Sequence, residues 1–103
     1  MSTTPNQPEP QTHTMDSYLE YFEATIMKMK THELRLNVPN VSFLVGDYIV
    51  LQEKDPTTSQ YTGRTATLVI TYISPSPEPW IVPGYTVMST RLSDSSQYYA
   101  PSK

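Results

Sequence analysis

Apolar side chains recur along the chain with two different spacings. Leu19, Phe22 and Ile26 stand at i, i+3 and i+7, one stripe of a helix, with Tyr18 and Met27 beside it. Asp16 or Ser17 can cap this helix, and Ser17 with Glu20 has capping-box spacing. Glu20 and Glu23 lie in its first turns and Lys28 and Lys30 at its other end, each sign where the helix dipole favours it. The pattern predicts a helix over 17–28. At 31–37 the period drops to two: Thr31, Glu33, Arg35 and Asn37 take one face of a strand, and His32, Leu34 and Leu36 the other.

Pro39 and Asn40 end that strand, and Val41 to Val45 is a short apolar approach to a Gly46–Asp47 turn. A strand over 48–53 and the longest one, 64–73, flank a polar loop that opens at Asp55–Pro56, so the two form a hairpin. Ser74 to Pro79 is a proline-rich connector. Trp80 to Val82 reads as a short strand or loop, Pro83–Gly84 as a turn, and 85–92 as the last strand. One N-terminal helix with about five short strands predicts an α+β domain on a small, bent sheet or β-barrel.

Composition sets the limits. The 103 residues allow one domain with tails. Residues 1–15 and 93–103 are polar and read as disordered tails; 16–92 hold nearly all the apolar side chains. A domain of that size buries roughly 60% of its unfolded surface, enough for one modest core. There is no cysteine, hence no disulfide, thiolate metal site or cysteine nucleophile. His13 and His32 are too few for a histidine-based zinc site. With no long apolar run and no basic-then-apolar start, the expectation is a cytoplasmic protein, off the membrane, without metal or cofactor.

The net charge is −3. Between 28 and 91, however, six basic residues face five acidic ones, so the acidity sits in the tail and first helix. Charge-driven, sequence-blind binding to duplex DNA does not fit this balance, whereas a local basic pocket does.

Lys28-Met29-Lys30-Thr31-His32-Glu33-Leu34-Arg35 resembles the G-x-K-x-x-E-x-R signature of ASCH domains, of the PUA-like superfamily, with Lys28 in place of the glycine. The resemblance continues in order with a small phage and bacterial branch of unknown function. Its marks are EYFEA at Glu20 to Ala24, VGD at Val45 to Asp47, and Glu53-Lys54-Asp55-Pro56 followed by Tyr61-Thr62-Gly63-Arg64. Ile70 to Ile73 and Pro83 to Met88 complete the set. It implies a PUA-like barrel with the signature lining a cleft.

The candidate ligand-binding residues are Lys28, Lys30, Glu33, Arg35, Arg64, Tyr72 and Trp80. Glu33 between two cations stays ionised and holds Lys30 and Arg35, whose donors suit a phosphate or the edge of a nucleobase. Tyr48, Tyr61, Tyr72, Trp80 and Tyr85 are candidates for stacking on a base. Other readings stand beside these: a solvated Glu–Arg ion pair on a strand, a packed His32, Arg64 as a hairpin-edge charge, and Trp80 as a core plug or lid.

Three functions follow. The first is RNA or nucleotide binding. The second is a small amidohydrolase, because some ASCH relatives resemble enzymes acting on acylated cytidine nucleosides. In that case Lys30 and Glu33 would be catalytic, although Glu33 stands where those enzymes have a threonine and Glu78 is the only acid between Asp55 and Asp94. The third is an accessory protein binding a host protein, suggested by the acidic tail and the tyrosines.

Overall fold

The computed structural model describes residues 9–37, 41–74 and 84–93. Five strands and one helix follow in the order β1 (Thr12–Tyr18), α1 (Leu19–Ile26), β2 (His32–Leu36), β3 (Tyr48–Asp55), β4 (Gln60–Ile73) and β5 (Tyr85–Leu92). They form one mixed sheet, β1-β3-β4-β5-β2, parallel only between β1 and β3. This is a small α+β fold. The sheet bends without closing: β1 and β2 are its two edges and share no ladder. One side chain spans the seam, the Arg35 guanidinium donating from β2 to the Asp16 carbonyl of β1 at 3.1 Å.

The core lies inside the bend. Ile49 and Leu51 of β3, Ala66, Leu68 and Ile70 of β4, and Met88 of β5 point inward at period two, and Phe22 of α1 plugs them. The predicted hairpin is present, with both strands longer than expected. Its register slips between Gln52 and Lys54, and Gly63, at φ +96°, sits in the resulting bulge.

Three expectations need correction. Residues 12–15 are no tail: they open β1, paired with Tyr48–Leu51. THTMDSY offers only Met15 as an aliphatic inward residue, so its alternation is nearly all polar and leaves no apolar signature. Residues 1–8 and 94–103 lie outside the described residues. The helix starts at Leu19, with Tyr18 at its cap position and no side-chain cap; Ser17 belongs to β1 instead. Finally, His32 is not packed, because the inner face of β2 is the polar one. Glu33 is 3% exposed, while Leu34 and Leu36 are 55% and 59% exposed, and His32 is exposed with them. Alternation tells which residues share a face, but the packing of the whole sheet tells which face is inside.

Val41 to Val45 forms no strand; only Phe43 of that stretch packs against the core, its ring 4.6 Å from that of His13. The Pro39–Asn40 stop, most of the proline-rich connector and the Trp80–Val82 segment lie outside the described residues. Among the described residues no helix is long and apolar enough to cross a membrane.

Candidate functional site

The end of α1 aims the site. The Met29 N–H donates to the Ala24 carbonyl (2.9 Å) and the Lys28 N–H to the Thr25 carbonyl (3.0 Å), the bond pattern of a Schellman cap. Lys28 occupies the left-handed position of that cap, at φ +64°. This is where glycine is favoured, so the signature position filled here by Lys28 is a backbone requirement. The cap reverses the chain and delivers Lys30 to the start of β2.

There Glu33 turns inward and two cations close on it. Lys30 Nζ donates to Glu33 Oε2 at 2.8 Å and to the His32 carbonyl at 2.6 Å. Arg35 donates to Glu33 Oε1 from Nε (3.1 Å) and Nη2 (2.9 Å), and Nη2 also reaches the Asp16 carbonyl. A carboxylate this buried is tolerated because both oxygens are held by charged donors. Lys30 keeps one proton and Arg35 Nη1 two without a hydrogen-bond partner among the described residues.

These donors look into a cleft of about 520 Å³ that lies along the seam between β1 and β2. Asp16, Ser17 and Tyr18 of β1 and Tyr21 of α1 form one wall; Lys30 and residues 32–35 form the other. The Asp16 carboxylate is itself held, accepting the Tyr61 hydroxyl at 2.8 Å with Lys54 Nζ 3.5 Å away. That hydrogen bond, with slight desolvation and the Asp16 charge, pushes the Tyr61 phenol above its ordinary value.

Of the residues expected at the site, Lys30, Glu33 and Arg35 converge. Lys28 is exposed at the helix cap, Tyr72 is exposed on β4, and neither lines the cleft. Arg64 lies elsewhere: it grips Glu53 through Nε and Nη2, both at 2.9 Å, reaches Glu23 of α1 at 2.9 Å, and stands 5.0 Å over the Phe22 ring. Its partners hold the guanidinium still more firmly protonated. Glu53 is held below the ordinary carboxylate range by the Arg64 hydrogen bonds first, against burial, with help from the Thr62 hydroxyl and the Arg64 charge. Trp80 and Glu78 lie outside the described residues. Among the stacking candidates, none of Tyr48, Tyr61, Tyr72 and Tyr85 lines the cleft; the tyrosines that do are Tyr18 and Tyr21. Their i, i+3 spacing across the strand–helix junction was the available signal, whereas nothing local marked Asp16.

A third buried carboxylate, Asp47, anchors the start of β1. Burial is the strongest influence on it and pushes its pKa up. The N–H of Gln11 (3.0 Å), the His13 ring (2.9 Å), the N–H of Leu44 (3.1 Å) and the His13 charge together outweigh burial and hold it below its ordinary value. Among the described residues no group of three or more histidines and carboxylates is placed to hold a metal.

Residues 12–90 match the family model of a domain of unknown function, DUF3850. The chain belongs to that family. No curated protein matches it. The DUF3850 match begins at the first residue of β1 and ends in β5, so the family unit includes both walls of the cleft.

Proposed function

We propose that this DUF3850 domain is an ASCH-like module of the PUA-like type that binds single-stranded RNA or single nucleotides in the seam cleft. One observation carries the reading: Glu33, 3% exposed, clamps Lys30 and Arg35 at the wall of a cleft and leaves part of their donor capacity directed into it. A cleft of about 520 Å³ is in the range for a small ligand. Tyr18 and Tyr21 supply aromatic faces beside the donors, the combination by which unpaired bases are stacked and held. The bent five-stranded sheet and the meeting of the three signature side chains support the ASCH-like assignment.

The test is a titration of short labelled single-stranded RNA and of nucleoside monophosphates into the full chain. Saturable binding is expected, weakened by about tenfold or more in Lys30→Ala with Arg35→Ala, since each charged hydrogen bond contributes about 1.5–3 kcal/mol. Absence of saturable binding to folded protein rejects the proposal. Hydrolysis of N4-acetylcytidine that is lost in Lys30→Ala would replace it with the amidohydrolase reading.

A further inference from the structure

The rim of the cleft is backbone as well as side chain. Along β2 the ladder to β5 is bracketed by two bonds, Thr90 N–H to the Thr31 carbonyl (3.0 Å) and Asn37 N–H to the Gly84 carbonyl (2.7 Å). In an antiparallel pair these alternate, so Thr31, Glu33, Arg35 and Asn37 direct their main-chain groups to β5. The intervening residues direct theirs to the free edge. The His32 carbonyl confirms this by accepting Lys30. Leu34, which lines the cleft, therefore presents both its N–H and its C=O to the seam, and neither has a partner among the described residues.

The charges beside that edge disfavour an anion. Lys30 and Arg35 already hold Glu33, and a phosphate bound to their remaining protons would lie next to that carboxylate, with Asp16 on the opposite wall. The four charged residues that line the cleft, Asp16, Lys30, Glu33 and Arg35, balance to zero. What the wall offers is a neutral set: one donor–acceptor pair of main chain, spare N–H donors and aromatic faces. A planar, uncharged group with donors and acceptors on one edge matches it.

We propose that the cleft takes the base of the nucleotide, read by the main-chain edge of Leu34, and leaves the phosphate in solvent; this rests on the nucleotide-binding reading above. The experiment is calorimetric titration of the full chain with the four common nucleosides and their 5′-monophosphates, at about 50 and about 200 mM salt. For the preferred base, nucleoside and monophosphate should bind within about twofold of each other, with little change between the two salts. A monophosphate that binds about tenfold tighter than its nucleoside, or binding that weakens steeply with salt, overturns the proposal and leaves nucleotide binding intact. No binding of either kind overturns the proposal, and the nucleotide-binding reading falls with it if short single-stranded RNA also fails to bind.

Two variants isolate the edge. Leu34→Pro removes the edge N–H without removing a ladder bond, a place where an edge strand tolerates proline. Leu34→Ala keeps the N–H and loses the side chain. Base binding should fall about tenfold or more in Leu34→Pro and stay within about threefold in Leu34→Ala. Equal losses in the two would place the contact on the side chain and reject the main-chain readout. The nucleoside-to-monophosphate ratio needs neither variant, so it decides the question even if Leu34→Pro does not fold.

Discussion

Two buried glutamates organise this domain, and they do opposite things. Glu53 on β3 and Glu33 on β2 are 4% and 3% exposed, and each is bracketed by basic donors. At Glu53 one cation serves two carboxylates: Arg64 holds Glu53 and Glu23 together and covers Phe22, tying α1 to the hairpin. At Glu33 two cations serve one carboxylate, and part of their capacity points into a cleft. The side-chain chemistry is nearly the same. What separates them is position in the sheet. The Glu53 cluster lies between paired strands under a helix, where Glu53 and Arg64 are largely covered and only Glu23 stays exposed. The Glu33 cluster lies on an edge strand at the one seam the sheet leaves open.

The comparison can be broken most forcefully at Arg64. Arg64→Ala leaves Glu53 buried without its cation and should cost about 3–5 kcal/mol of unfolding free energy by urea denaturation. Nucleotide affinity of the protein that remains folded should not change. Weaker binding with unchanged stability would move Arg64 into the ligand site.

Acid should strike the same framework next. Glu53 and Asp47 have folded-state pKa values below their ordinary 4.5 and 3.8. Their contribution is therefore complete above those ordinary values and is lost as pH falls through the depressed ones. Urea midpoints should be level from about pH 7 to 5 and drop below about pH 4.5, and the drop should be shallower in Glu53→Gln with Asp47→Asn. Parallel curves for the two proteins would refute this.

At the cleft the structural cost should be smaller and the functional cost larger. Arg35→Ala leaves Lys30 on Glu33, so a loss of about 1.5–3 kcal/mol is expected, below that for Arg64→Ala, with binding reduced about tenfold or more. A stability loss equal to that of Arg64→Ala, with binding intact, would make the two clusters equivalent. The smallest effect is a gain: Lys28→Gly relieves the left-handed cap residue and should stabilise the protein by about 1 kcal/mol in thermal or urea melts, without changing affinity.

Local pattern alone determined much of this protein. The helical stripe around Phe22, the hairpin of β3 and β4, the last strand and the grouping of Lys30, Glu33 and Arg35 all follow from residues close in sequence, because helix and strand periodicity and turn chemistry act over a few positions. β1 did not show itself: a polar edge strand held by Asp47, His13 and a parallel neighbour has no apolar signature of its own. Nor did the inward side of β2, since alternation is symmetric until something covers one face. Arg35 and Arg64 looked alike in sequence. Only the strand order, which sets β1 against β2 across an unpaired seam and buries Glu53 beneath α1, made one a wall of the cleft and the other a clamp in the framework. Contacts between residues far apart in the chain decide such matters, and no local spacing encodes them.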